Sequence, residues 1–229
     1  MEHRDITGDI PDIIANSEHL YDGDLAGYLR VLFFSANNLG NPYHNFRHML
    51  HVVWLCHQAC RFYRDTLTPR QMRTLLIAAL FHDFDHPGHP HPGVEDPDHV
   101  NIDIAVTALQ RHIEPADRTL LPAVEGLVRI TKFPYAVGGD PLDLLGQILR
   151  DADLAQALNP VWIQQVVIGL AREQELTPLQ MLKAQEPFLS RLSFTTEWAR
   201  TLYPRDLIDR KVEEAQKLLR LLEPAAAAP

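Results

Sequence analysis

Leu75-Leu76-Ile77-Ala78-Ala79-Leu80-Phe81-His82-Asp83-Phe84-Asp85-His86-Pro87-Gly88 is the stretch from which the rest of the chain is read. An almost unbroken apolar run leads straight into adjacent His and Asp, and Pro-Gly then stops the helix. A helix that is apolar all round is a buried helix, so its last turn carries His82 and Asp83 into the interior. Burying an imidazole and a carboxylate costs on the order of several kcal/mol unless each finds a partner. A divalent cation bound by both is one such partner. The other reading is a polar helix end, with His82 and Asp83 capping loops at the surface.

The 229 residues suffice for one large domain with a substantial core. Hydrophobic residues make up 46% and charged residues 22%, the balance of an ordinary globular protein. No apolar run is long enough to cross a bilayer, so no membrane partner is expected. The start, Met1-Glu2-His3-Arg4-Asp5, is polar and has no secretory pattern, which gives a cytoplasmic expectation. The net charge is −9 and no Lys/Arg cluster interrupts it, so nucleic acid is not an expected partner. Cys56 and Cys60, four apart on one helix, read as two reduced thiols on one face.

Helix openings are marked by one repeated device. Thr68-Pro69, Asp140-Pro141, Asn159-Pro160 and Thr177-Pro178 each place a capping residue before a proline at the first helical position. They predict helices over 69–83, 141–158, 160–173 and 178–192, and Gln71 completes a capping box with Thr68. Apolar spacing adds helices from Asp24 to Phe33, 46–65, 98–112, 117–132 and 205–222. Ser35 to Pro42 reads as a turn-rich break. No alternating strand pattern is present. The expected fold is all-α, a single compact helical domain over 24–223. A loosely packed lead-in, 1–23, with an apolar patch at Ile10 to Ile14, precedes it, and a disordered tail, 224–229, follows.

Of the twelve histidines, ten lie between His44 and His112. His44 and His48 are four apart at the head of the 46–65 helix and project from one face. One can bind a metal while the other stays free as an acid. Downstream, Asp151-Ala152-Asp153-Leu154 lies in an apolar helix. Asp151 reads as exposed, whereas Asp153 lies close to the apolar face of Leu145, Ile148 and Leu149. Three helices therefore offer His48, His82-Asp83 and Asp153. Two imidazoles and two carboxylates suit a divalent ion such as zinc, manganese or iron, with positions left for water.

These residues resemble the metal motif of the HD-domain phosphohydrolases. Within that superfamily, Tyr43-His44-Asn45-x-x-His48, His82-Asp83-x-Asp85-His86-Pro87-Gly88 and Ala152-Asp153-Leu154 are similar to the signatures of class I cyclic nucleotide phosphodiesterases. The likeness runs over roughly residues 40 to 205. It implies that His48, His82, Asp83 and Asp153 hold a first ion, zinc or else iron or manganese. Asp83 would bridge to a second, magnesium or manganese. A hydroxide bridging the two would attack phosphorus, and His44 would protonate the departing ribose oxygen. His86 would steady water on the second ion, with Tyr43 and Asn45 flanking the ligands. Gln185 and Phe188 would clamp a purine, with Gln156 beside them. The implied substrate is a 3′,5′-cyclic nucleotide, cAMP or cGMP; a homodimer is left open.

The sequence departs from that pattern after His-Pro-Gly. The family's Leu-Glu-Asn-His-His element is missing from 95–103, so the carboxylate that orients His44 is unassigned, with Asp98 and Asp103 as candidates. Two further readings stand beside the first. One is an HD-type hydrolase of another small phosphate ester. The other is a di-iron oxygenase on the same scaffold, in which His99 or His112 binds the second metal directly.

Overall fold

The central element begins at the expected capping box. Thr68 accepts from Gln71 N, Gln71 reaches back to the Thr68 backbone, and Pro69 takes the first position of helix α4, Pro69–Phe81. Met72 and Leu75 to Phe81 are all buried. The computed structural model describes residues 8–135 and 142–222, and among them no strand occurs. Around α4 pack α2 (Ala26–Ser35), α3 (Phe46–Phe62), α5 (Pro97–His112), α6 (Leu121–Arg129) and α7 (Leu144–Leu154). α1 (Ile10–Ala15) lies against α2 and α3. On the far side, α8 (Ala171–Glu173) continues a π-helical stretch, Ile163–Leu170, and α9 (Pro178–Arg191) packs on both. α10 (Glu197–Leu202) contacts α3 and α7, and α11 (Arg205–Leu222) covers α9. The all-α expectation holds, and no helix among the described residues is long and apolar enough to cross a membrane.

Several local expectations change. The Ile10–Ile14 patch is not loose: Ile10, Ile13 and Ile14 enter the core, and Asp9 takes the Trp54 indole N–H at 2.9 Å. The predicted 117–132 helix divides into a short 3₁₀ turn, Pro115–Asp117, and α6. The Asp140-Pro141 opening falls outside the described residues, as does the 224–229 tail. α7 instead starts at Asp143, whose side chain accepts from Gly146 N at 2.8 Å. Asn159 does not cap an α-helix. It accepts from Val161 N at 3.0 Å, and the chain then winds into wide π turns, which recur at functional sites. Gly169 faces the Pro42 carbonyl there, where a Cβ would come within 2.4 Å.

The apolar α4 also carries a buried arginine. Arg73 forks onto Asp117 at 2.7 and 2.6 Å and donates to the Asp22 and Asp24 carbonyls at 2.7 Å each. Tyr28 donates to the same Asp117 at 2.7 Å. A planar five-donor head suits this site, because each of its nitrogens finds an oxygen. Cys56 and Cys60 are buried free thiols, and burial pushes Cys60 up to about 12.

Candidate active site

The first turn of α3 and the end of α4 bring three donors together. Asn45 caps α3, accepting from Arg47 N and His48 N at 2.9 and 3.2 Å, and so fixes the turn that carries His48. The His82 backbone stays helical beyond Phe81, and its Nδ1 lies 2.9 Å from the Ala79 carbonyl. Donation to that carbonyl leaves Nε2 bare and aimed inward. His48 Nε2 is 3.1 Å from His82 Nε2 and 2.8 Å from Asp83 Oδ2. The third edge, His82 Nε2 to Asp83 Oδ2, is 3.1 Å. Ligands about 2.1 Å from one octahedral ion lie about 3 Å apart on neighbouring corners, so this triangle fits one face of such a shell. His48 and His82 are almost fully buried.

The charge balance fits a cation as well. Burial pulls His48 toward neutrality, but hydrogen bonds to Asp153 and Asp83 outweigh it and raise the ring to about 10. Burial opposes the charge on Asp83 too, and the neighbouring histidines hold it well below the usual carboxylate range. A bound divalent ion would displace that proton, since a ligating imidazole is neutral.

Asp153 Oδ1 stands at the edge of the triangle, 3.4 Å from His48 Nε2. Its neighbour Asp151 corrects the sequence reading, because it is 1% exposed. It accepts from the backbone N–H groups and hydroxyls of Thr195 and Thr196, at 2.7 to 3.1 Å. That ties α7 to the segment that caps α10.

His44 has a partner that the sequence did not reveal. Glu173, 3% exposed, places Oε2 2.5 Å from His44 Nδ1, while Oε1 accepts from Tyr43 N and His44 N at 2.7 and 2.9 Å. Burial opposes the charge on Glu173, and the His44 hydrogen bond outweighs it, holding the carboxyl below its ordinary value. Asp98 and Asp103 are not the orienting groups. Asp98 accepts from Phe133 N, and Asp103 pairs with Arg129. Tyr43 flanks both rings, 4.7 Å from His44 and 5.1 Å from His48 between centroids.

His86 also differs from expectation. Gly88 N–H donates to its Nδ1 at 3.1 Å, and its Nε2 lies 2.9 Å from the Asn101 amide. Both nitrogens face protein groups. The ring stacks on His44 at 3.7 Å between centroids. Burial, with His44 beside it, lowers His86 to about 4.

Two asparagines from the turn-rich break lock the two signature loops together. Asn38, 1% exposed, donates to the His44 and Asp83 carbonyls at 2.9 and 2.8 Å and accepts from Asp85 N. Asn41 donates to the His86 carbonyl at 2.7 Å. Gly88 has φ +71° and passes so close to the Asn41 amide that a Cβ would lie 2.6 Å from it. Conformation and space both demand glycine there.

Of the expected base-binding residues, Gln185 and Phe188 lie on α9 and Gln156 lies in the 3₁₀ turn Ala155–Leu158 that follows α7. Gln185 is buried in α9, where its Nε2 touches only the Met181 sulfur at 3.5 Å and its Oε1 has no partner among the described residues. Gln156 is 1% exposed, and neither of its amide atoms has a partner among the described residues. Phe188 is half-buried, edge-on to Phe133 at 6.4 Å. Orphaned buried amides cost about 1–3 kcal/mol each, which a polar ligand recovers. His99 pairs with Asp103 at the surface, and His112 packs on Phe84. Neither joins the two clusters that could hold an ion, His48-His82-Asp83 and His44-His86-Glu173.

The sequence model of the 3′5′-cyclic nucleotide phosphodiesterase family matches residues 43–91. The fold is similar to the phosphodiesterase domain of the Salpingoeca rosetta rhodopsin phosphodiesterase, with a TM-score of 0.61 at 15% identity. That likeness covers 91% of this chain and 86% of the other. No curated protein matches the sequence significantly. The sequence likeness to that family is confined to residues 43–91, and the fold over most of the chain is that of a phosphodiesterase domain.

Proposed function

We propose that the chain is a metal-dependent phosphodiesterase that opens a 3′,5′-cyclic nucleotide to the 5′-monophosphate. His48, His82, Asp83 and Asp153 would hold a first divalent ion, zinc, iron or manganese, and Asp83 would also serve a second, magnesium or manganese. When bound, such ions supply an activated water and neutralise charge on the phosphoryl oxygens.

The chain's own residues do the rest. The water oxygen bonds to phosphorus, the P–O3′ bond breaks, His44 gives its Nε2 proton to the departing O3′, and the proton shed by the water restores His44 through solvent. Glu173 Oε2 holds the opposite nitrogen, Nδ1, which fixes the ring's direction. Its second oxygen pins the backbone of Tyr43 and His44, so the acid moves with its carboxylate. Gln156 offers its amide and Gln185 its Oε1, unpaired among the described residues, to the base, and Phe188 offers a ring face.

The observation that carries this reading is the pairing of His44 with a buried carboxylate beside a separate His-His-Asp triangle. A carboxylate on one ring nitrogen fixes the imidazole so that the other can give a proton. The test assays the purified protein against cAMP, cGMP and bis(p-nitrophenyl) phosphate, with bound metal measured in parallel. Metal-dependent turnover of a cyclic nucleotide is expected. Turnover of the generic diester alone would favour another phosphate ester as substrate. The oxygenase reading loses ground because His99 and His112 stand apart from both clusters.

A further inference from the structure

His86 lies face to face with His44, with 3.7 Å between centroids and 26° between planes. Two contacts hold it there. Gly88 N–H donates to Nδ1, so Nδ1 is the bare nitrogen and a neutral ring carries its proton on Nε2. Nε2 is 2.9 Å from one arm of the Asn101 amide, and the other arm is 2.9 Å from His91 Nε2. As placed, Nδ2 faces His86 and Oδ1 faces His91. The two arms are interchangeable in position, and a proton on His86 Nε2 requires the reverse. The network then reads in one direction: His86 Nε2–H to Asn101 Oδ1, and Asn101 Nδ2–H to His91 Nε2. Asn101 stands in the second turn of α5, and neither it nor His91 belongs to the signature stretches.

We propose that Asn101, backed by His91, is a positioning residue that locks His86 as a neutral platform under the His44 ring and so sets the plane from which His44 delivers its proton. An imidazole with a carboxylate on one edge can still swing about that hydrogen bond. A ring stacked on its face stops the swing. The inference rests on His44 being the acid, and it gives His86 a role that leaves water binding aside.

The test compares Asn101→Leu, Asn101→Asp and His91→Phe with His44→Asn, each with bound metal measured. Misplacing a reacting group by about 1 Å can cost up to roughly a hundredfold in rate. Asn101→Leu should lower kcat on a cyclic nucleotide roughly tenfold or more, while KM, metal content and bis(p-nitrophenyl) phosphate turnover stay near wild type. Asn101→Asp keeps an oxygen for His86 Nε2–H and should recover most of the loss. If Asn101→Leu does not fold, His91→Phe carries the same readout at a smaller amplitude. Equal loss on both substrates, loss of metal, or an Asp variant as poor as Leu overturns the platform. A His44→Asn enzyme with no preference between the two substrates overturns the acid reading, and the platform with it. A selective His44→Asn beside an unselective Asn101→Leu overturns the platform alone.

Discussion

Glu173 Oε2 and His44 Nδ1 meet at 2.5 Å across 129 residues of sequence. The carboxylate is buried and takes two backbone N–H groups from the loop that carries the histidine. One side chain therefore holds the ring and the backbone of His44 at once. Because α9 packs on α8, the same helical region that presents Glu173 also borders Gln185.

Glu173→Gln tests that pairing. The amide can still accept from Tyr43 N and His44 N, but it removes the charge opposite the imidazole. Turnover of a cyclic nucleotide should fall by about 10², with metal content unchanged. Metal analysis and steady-state kinetics on one preparation check it, and a loss of metal would place Glu173 in the ion site instead.

The clustering of His48 with His82 and Asp83 was largely legible in the sequence, and the partner of His44 was not. His82-Asp83 announces itself because an apolar helix runs directly into it, and His48 sits one turn from His44. Glu173 lies in Ala171-Arg172-Glu173-Gln174-Glu175, which reads as a solvated helix end. Its one signal was helical spacing from Val166 and Gly169 on the inner face. The π-helical winding of Ile163–Leu170 blurs that spacing, since the pattern was read at 3.6 residues per turn. Asn38 and Asn41 looked like turn formers, and nothing local shows that their amides reach a loop some 45 residues away. Arg73 reads as a flaw in an apolar helix until Asp117 folds against it.

The two aspartates of α7 should separate stability from metal binding. His82→Ala and Asp153→Ala are each expected to lose most of the first ion while melting close to the metal-free wild type. Asp151→Ala acts differently, because four donors from Thr195 and Thr196 lose their acceptor. It should cost on the order of 3 kcal/mol of stability. Urea melts read the second effect and metal stoichiometry the first.

Asp117 gives a pH-dependent stability. Burial opposes its charge, but the hydrogen bonds from Arg73 and Tyr28 outweigh this and hold its folded pKa below the ordinary value. A carboxyl depressed by folding adds stability above its unfolded pKa of about 3.9, and that stability is lost as pH falls through the lower folded value. Asp117→Asn strands the Arg73 guanidinium and should cost about 3–5 kcal/mol at pH 7. The gap from wild type should narrow as pH drops below about 4. Urea midpoints measured at both pH values decide it, and a gap that stays constant means the ion pair contributes nothing.

The sharpest separation lies between His44 and its neighbour four residues on. Their rings are 5.8 Å apart, yet one is tied to Glu173 and the other lies in the His82-Asp83 triangle. A general acid contributes roughly 10²–10⁴ in rate when the leaving group is poor. A ribose alkoxide is poor, whereas p-nitrophenolate departs with little help from a proton. His44→Asn should therefore keep its metal, lose most cyclic-nucleotide turnover and retain much of its activity on bis(p-nitrophenyl) phosphate. His48→Asn removes a side chain from the triangle, so both activities and the bound ion should go together. If His44→Asn loses metal, or loses the two activities in equal proportion, His44 is a ligand or a structural residue. The proton then reaches O3′ from another group, and Glu173 holds a loop rather than an acid.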